Sequence, residues 1–227
     1  MHTTRRSWAQ PGTLTLQIHI HIHIHIHTHI YIHSTMPQLQ SVQLGTARRV
    51  KMGERSVLTA FYKHAAHGSV AVLPLGLMGD EQADLSIHGG LEKAIYAYPS
   101  EHYPFWQQAR QDAGITALDN GLPNGSLGEN LTLVGLLETD VWAGDTLRFA
   151  NCLLKVSLPR EPCGKLNAVM GFARASKHMA QTGHCGFYLS VLEPGTLASG
   201  ESFEVTPGRR SVSIMQLFNA KLAKHMR

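Results

Sequence analysis

A cysteine within a short, cation-rich stretch has the clearest chemical potential in this sequence. Cys163 lies in segment 157–167 between Arg160 and Lys165, and Pro162 just before it predicts the first turn of a helix. A helix start and nearby cations both favour the thiolate form of a cysteine. A thiolate beside free backbone N–H groups suits an anionic cofactor that carries a soft metal, while a buried structural cysteine is the alternative.

Two further motifs combine glycine with polar side chains. His88 directly precedes Gly89 and Gly90, and such a turn lets backbone N–H groups approach a ligand closely. The alternative is a simple turn with a hydrogen-bonded histidine. Glu129 and Asn130 lead into a predicted strand, where the asparagine offers both a donor and an acceptor. The alternative for this pair is that the asparagine closes a turn.

The three cysteines are isolated from one another in the sequence. Cys152, Cys163 and Cys185 form no CxxC pair, which argues against a disulfide framework and a zinc ribbon and fits a reducing cytoplasm. Cys152 lies within an apolar predicted strand and is expected in the core. Cys185 follows His184 in segment 181–186, where a predicted helix, a glycine turn and a strand meet, which is also typical of a simple connection.

Composition and charge exclude two classes of partner. The chain has 227 residues, of which 43% are hydrophobic and 16% charged, as in a soluble globular protein. No run of eighteen apolar residues occurs, so no membrane span is expected. The net charge is +4, and because residues 1–35 contain two arginines and no acid, the remainder carries only about +2. Without a basic stripe, nucleic acid is not an expected partner.

The first 35 residues have a composition of their own. Segment 18–32 alternates isoleucine with histidine almost perfectly, which would place imidazoles on one face of a strand. A metal-binding comb is one interpretation of that pattern. We favour the other, a low-complexity tail or a start codon chosen upstream of Met36, because a predicted strand follows Met36 at once.

The elements that must position these residues are mostly short strands. Apolar runs separated by Gly, Pro and Asn predict a mainly β fold, a barrel or a sandwich. The predicted strands are 39–44, 56–62, 69–75, 93–98, 130–134, 146–150, 152–158, 186–192 and 202–206. The predicted helices are 101–112, 162–170, 173–181 and 214–225. Ser213 is the expected cap of the last helix, whose apolar face must pack on the barrel or on a partner.

Taken together, the motifs resemble those of one family. The segments GDEQADLSIHGGLEKAIYAYPSEHY, LGENLT, VWAGD, SLPREPCGKLN and QTGHCGFYLSVLEPG stand in the order of the bacterial MOSC proteins. MOSC domains resemble the C-terminal part of molybdenum cofactor sulfurase, and this chain is most similar to the subfamily linked to resistance against N-hydroxylated base analogues. The resemblance implies a β-barrel related to that of pyruvate kinase, with a few peripheral helices, over 36–208. Residues 209–227 match the first helix of a three-helix extension.

The resemblance also implies a molybdenum cofactor, with Cys163 as the protein ligand of molybdenum. The positions that it assigns to cofactor binding are His88, Gly89, Gly90, Glu129, Asn130, Arg160, Lys165, Asn167 and His184. Family members often carry Arg or Lys where His184 stands, so an anion contact there would depend on pH. Pyridoxal phosphate, which occurs in the sulfurase, is not expected, because no lysine stands in a Schiff-base context.

The implied activity is reduction of N-hydroxylated compounds such as hydroxylamino-purines and amidoximes. The sequence has no cysteine set for an iron–sulfur cluster and no dinucleotide fingerprint, so electrons are expected from a separate reductase. A non-catalytic carrier of the cofactor, or of sulfur as a Cys163 persulfide, would use the same thiolate. A small-ligand module without molybdenum is the third hypothesis, and the oligomeric state stays open.

Overall fold

The computed structural model describes residues 36–52, 54–83, 89–115 and 121–225. The predicted tail, residues 1–35, and the candidate ligand His88 lie outside these ranges. The strands are β1 (Gln38–Leu44), β2 (Arg48–Met52), β3 (Arg55–Thr59), β4 (His64–Ala65), β5 (Val70–Leu73), β6 (Gly76–Leu77), β7 (Ile95–Pro99), β8 (Leu131–Val134), β9 (Thr146–Arg148), β10 (Leu153–Pro159), β11 (Phe187–Glu193), β12 (Gly195–Leu197) and β13 (Glu204–Thr206). The helices are α1 (Tyr103–Asp112), α2 (Gly164–Met170), α3 (Ala175–Thr182) and α4 (Ile214–His225), with two 3-10 turns at Leu91–Lys93 and Ser100–His102.

Among the residues that the structure describes, the strands form one large sheet and two small ones. The large sheet has eight strands in the order β13-β9-β10-β11-β7-β8-β1-β4, with β7 and β8 parallel and the other pairs antiparallel. The small sheets are β12-β5-β6 and the hairpin β2-β3. The mainly β prediction is confirmed, but a closed barrel is not found in the described part of the chain. The ladder runs from β13 to β4, and these two end strands do not pair with one another.

Strand β7 lies at the centre because both of its faces are buried. Its residues alternate between two apolar clusters, since successive side chains of a strand point to opposite faces. Ile95 and Ala97 belong to a cluster shared with most strands of the large sheet and with β5, β6 and β12. Tyr96 and Tyr98 belong to a second cluster, which collects the helices. A strand that is buried on both faces gives a rigid support for groups attached to its ends.

The four predicted helices are all present, and the last one packs on the domain. Ser213 and Gln216 cap it reciprocally: Gln216 N donates to Ser213 Oγ at 3.1 Å, and Ser213 N donates to Gln216 Oε1 at 2.9 Å. Ile214 and Phe218 are fully buried, one in each apolar cluster. The apolar face of α4 therefore packs on this domain. Within the described ranges, no helix is long and apolar enough to cross a membrane.

Candidate functional site

A cleft lined by cations opens beside the end of β3. Among the described residues, four basic side chains contribute to it: Lys63, Lys93, Arg160 and Lys165. Asp80 and Glu81 are the acidic residues of the same wall. Its remaining lining residues are Thr59, Ala60, Phe61, Gln82, Ala83, Ala94, Tyr96, Gly128, Asn130 and Tyr188. The excess of positive charge makes the cleft suited to an anion such as a phosphate group.

Arg160 forms the floor of this cleft and is only 6% exposed. Its guanidinium lies 4.8 Å from the centre of the Phe61 ring and 4.6 Å from that of Tyr96, so it has aromatic contacts with both. It also donates to Leu127 O at 3.1 Å and hydrogen-bonds to the Cys163 thiol. Burial lowers the pKa of Arg160, but the interactions with Tyr96, Tyr188 and Cys163 outweigh that effect and raise it above its ordinary value. Arg160 is therefore a permanent buried cation.

Cys163 stands at the start of a helix, as predicted. It is the N-cap residue of α2, with an extended backbone at φ −136°, and it is half-buried. Besides its hydrogen bond with Arg160, it borders two cavities outside the cation cleft, one of which also contacts Lys177 and Leu222. A helix start and a guanidinium both stabilise a thiolate. Cys163 therefore combines partial exposure with the surroundings of a reactive cysteine.

The other two cysteines lie in the core. Cys152 and Cys185 have no exposed surface. Burial raises the pKa of Cys152 to about 11 and raises that of Cys185 well above its ordinary value. Both therefore stay protonated at neutral pH, and the predicted core position of Cys152 is confirmed.

Lys63 and Asp80 form a buried ion pair that sequence reasoning missed. Lys63 Nζ lies 2.5 Å from Asp80 Oδ1, which also accepts from Gly45 N at 2.7 Å. Burial lowers the pKa of Lys63 against the opposing effect of Asp80, and the charge of Arg160 lowers it further. The Lys63 ammonium is thus held beside the Arg160 guanidinium. The indication of this pair in the sequence was weak. Lys63 directly follows a predicted strand, and Asp80 lies in a motif whose glycines alone suggested a ligand contact.

The Gly89-Gly90 turn contributes to the cleft by positioning the residues that follow it. Gly90 has φ 88° and precedes the 3-10 turn Leu91–Lys93, which carries Lys93 into the cleft wall. Gly90 N donates to Gln82 Oε1 at 3.2 Å, while Gln82 Nε2 donates to Leu75 O at 2.9 Å and to Ala94 O at 3.2 Å. Gln82 thus fixes the position of the turn relative to the strands.

Glu129 and Asn130 are buried and extensively hydrogen-bonded. The Glu129 carboxylate accepts from Gly125 N at 2.7 Å, Leu127 N at 3.1 Å and Thr132 Oγ1 at 2.9 Å, and also from the Tyr103 hydroxyl. These bonds hold the 125–128 loop and favour a structural role for Glu129.

Asn130 joins two strands and also contributes to the cleft. Its Oδ1 accepts from Tyr96 N at 3.1 Å, and its Nδ2 donates to Gln43 O at 3.2 Å. Asn130 lines the cleft despite being only 5% exposed. Asn130 therefore links two strands instead of closing a turn, and its contact with a ligand stays a prediction.

Asn167 and His184 lie outside the cation cleft, although Asn167 lines a cavity that Cys163 also borders. Asn167 Oδ1 accepts from Ser176 N at 2.7 Å, which ties α2 to the first turn of α3. The His184 ring stacks on His102 at 3.8 Å, and its Nδ1 is buried with no hydrogen-bond partner in the described part of the chain. Burial lowers the pKa of His184, with the neighbouring His102 as the next cause. Of the predicted binding residues, the cleft itself brings together Asn130, Arg160 and Lys165.

Comparisons of the sequence and the fold with known proteins identify one family. The MOSC domain model matches residues 84–204. YflK of Bacillus subtilis is 37% identical over 175 residues, which are 77% of this chain and 76% of YflK. A Gibberella moniliformis protein named Reductase is 33% identical over 168 residues, 74% of this chain but 29% of that protein. The crystal structure of YiiM from Geobacillus stearothermophilus is 30% identical with a TM-score of 0.65, covering 84% of this chain and 86% of that one. This chain belongs to the MOSC domain family.

Proposed function

We propose that this protein binds the molybdenum cofactor and reduces N-hydroxylated compounds, with Cys163 as the protein ligand of molybdenum. The observation that carries the proposal is the pairing of a half-buried helix-capping thiol with Arg160, which itself lines the cation cleft. A thiolate suits a soft metal, and the adjoining cations suit the phosphate of a pterin cofactor. The donor set therefore fits the cofactor that is associated with MOSC domains.

The charged residues of the cleft bind and position the cofactor in this proposal. Lys63, Arg160 and Lys165 hold the cofactor phosphate, and Asp80 keeps the Lys63 ammonium in place. Arg160 also orients the Cys163 thiol through their hydrogen bond. The aromatic residues around Arg160 exclude water and so strengthen these charge interactions. The protein thus supplies position and electrostatics, as is usual for a cofactor enzyme.

When bound, the molybdenum centre supplies the redox chemistry, in which an N–OH group takes up two electrons and two protons and becomes N–H plus water. The electrons come from a separate reductase in this proposal. The Gibberella relative supports a link to reduction, because it is named Reductase and most of its length lies outside the matched region.

The experiment is to replace Cys163 by serine in protein made in a host that synthesises the cofactor. Cys163→Ser is expected to lose molybdenum and turnover of an N-hydroxy substrate while keeping its melting temperature, because serine is nearly isosteric but a poor ligand for a soft metal. Metal analysis, turnover with an artificial electron donor and thermal melting provide the readouts. Full metal content in Cys163→Ser would overturn both the ligand assignment and the mechanism.

The control for this experiment is Cys152→Ser. Cys152 is fully buried in the strand core, so a serine there leaves an unpaired hydroxyl and costs about 1–3 kcal/mol of unfolding free energy. This variant is expected to keep its metal and its activity while melting at a lower temperature. Metal loss in both variants with equal destabilisation would mean that the effect follows from folding and not from ligation.

The second candidate function is a carrier that holds the cofactor, or sulfur as a Cys163 persulfide, and passes it on. The partly exposed, helix-capping position of Cys163 favours this reading as well, because transfer needs a reachable nucleophilic thiolate. Wild-type protein that contains molybdenum but turns over no N-hydroxy substrate would favour the carrier. Protein without molybdenum from a competent host would favour a ligand-binding module.

A further inference from the structure

A second, mainly apolar cavity adjoins Cys163 on the side of the β2-β3 hairpin. Met52 and Val57 of the hairpin form one wall, and Asn167 and Ala168 of α2 lie on the other. Cys163 and Lys165 border the same cavity. The cavity is therefore directly accessible from the thiol, although it is separate from the cation cleft.

The apolar wall follows from the alternation of residues along the hairpin. Val50 pairs with Val57 across the two strands, and Met52 lies two residues further along the face of Val50. These three residues are half-buried, whereas Arg49 and Lys51, on the opposite face of β2, are exposed. The hairpin thus turns its apolar face inward, and that face is covered only in part.

The cavity and the cation cleft share two structural elements. Val57 and Thr59 lie on the same face of β3, and Thr59 lines the cleft while Val57 lines the cavity. Lys165 lines both, and its Nζ lies 3.4 Å from Leu58 O, which ties α2 to the hairpin. A molecule that reaches Cys163 therefore has charged groups on one side and an apolar wall on the other.

We propose that the β2-β3 hairpin is a specificity element, with Met52 and Val57 as the residues that accept a flat apolar or aromatic ring carrying the reacting N–O group. The inference rests on the proposed function for the identity of the reacting group. Burial of ring surface against the hairpin favours aromatic N-hydroxy compounds over small hydrophilic ones. The hairpin contacts the ring and takes no part in the chemical step.

The first test uses the protein without cofactor and two maleimides that differ only in the attached group. N-phenylmaleimide and N-methylmaleimide both add the Cys163 sulfur across their double bond, with a proton from water completing the addition. The rate ratio of phenyl to methyl reagent, normalised to a free thiol, is expected to fall about tenfold in Met52→Ser/Val57→Ser. Mass spectrometry of peptides identifies the labelled cysteine, and the buried Cys152 and Cys185 stay unlabelled.

The matched control is Leu58→Ser, which removes a similar apolar side chain from the opposite, 42% exposed face of the same strand. It is expected to keep the wild-type ratio. An equal ratio in wild type, Leu58→Ser and the double variant would overturn the inference. So would a Cys163 that reacts with neither reagent, because the cavity would then admit no ring.

The second test uses the loaded protein and a matched pair of substrates, benzamidoxime and acetamidoxime. The double variant is expected to lose about tenfold in kcat/KM for benzamidoxime with little change for acetamidoxime. An equal loss for both substrates would contradict a role in specificity. If the maleimide ratio falls as expected but wild type has neither metal nor turnover, the proposed function fails and the apolar ring site stands.

Discussion

At the scale of single residues, the structure of this site depends on charged side chains that are buried. Glu129 has no exposed surface, and its carboxylate accepts from two backbone N–H groups and two hydroxyls. A buried carboxylate of this kind is stable only while its hydrogen bonds are complete. The 125–128 loop, which supplies Gly128 to the cation cleft, therefore depends on a residue that is itself out of reach of solvent.

Replacing Glu129 by alanine is expected to destabilise the fold by on the order of 3 kcal/mol, because its buried donors lose their acceptor. Chemical denaturation gives the free energy of unfolding. Glu193→Ala is the control, since the side chains of Glu193 and Arg148 form a solvent-exposed ion pair that contributes little. If Glu129→Ala keeps its stability and instead loses the cofactor, Glu129 is a ligand residue, as the family resemblance implied.

The sequence was informative about the site wherever the relevant residues are neighbours in the chain. Arg160, Cys163 and Lys165 fall within one motif, and a predicted helix start was enough to place the thiol among cations. Lys63 and Asp80 contact each other only because the loops after β3 and β6 fold together. Neither residue has a local pattern that distinguishes it from an ordinary surface charge, so the pair became visible only in three dimensions.

At the scale of elements, the C-terminal helix is fixed at its first turn. Ser213→Ala is expected to cost about 1 kcal/mol of unfolding free energy, because the backbone N–H of Gln216 loses its acceptor. Ser211→Ala, two residues earlier and exposed, is the control and is expected to change nothing measurable. Denaturant melts of the two variants give the comparison. Equal stability of both would show that the capping box contributes nothing to this helix.

The strands that sequence reasoning missed lack the apolar alternation on which such prediction depends. β4, β6 and β12 have two or three residues each, too few for a period of two to be seen. The sequence of β2 is RRVKM. Its three basic residues made the apolar alternation of Val50 and Met52 hard to recognise in the sequence. The local sequence pattern also could not show whether the predicted barrel closes, because closure depends on whether the edge strands at the two ends of the sheet meet.

At the scale of the whole molecule, residues 35–227 form a compact unit of their own. A truncated protein that starts at Met36 is therefore expected to fold and to melt at the same temperature as the full chain. Every recognised motif lies after Met36, and so do both described apolar clusters. Thermal melting of the two proteins, followed by circular dichroism, provides the measurement. A truncated form that stays unfolded would show that residues 1–35 belong to the domain.

Strand β1 has partners far along the chain, and this has a consequence for biosynthesis. Leu39 pairs with Leu133 of β8, and Phe203 N donates to Pro37 O at 3.1 Å. Such non-local pairings form late, because the chain loses the entropy of loop closure before the paired residues make any stabilising contact. At a synthesis rate of about 5–20 residues per second, β1 waits on the order of 5–20 s before β8 has been made. Gln43 and Leu44 at the end of β1 pair with a strand that is made sooner, β4, so during that interval the yield depends on keeping the rest of β1 away from other nascent chains.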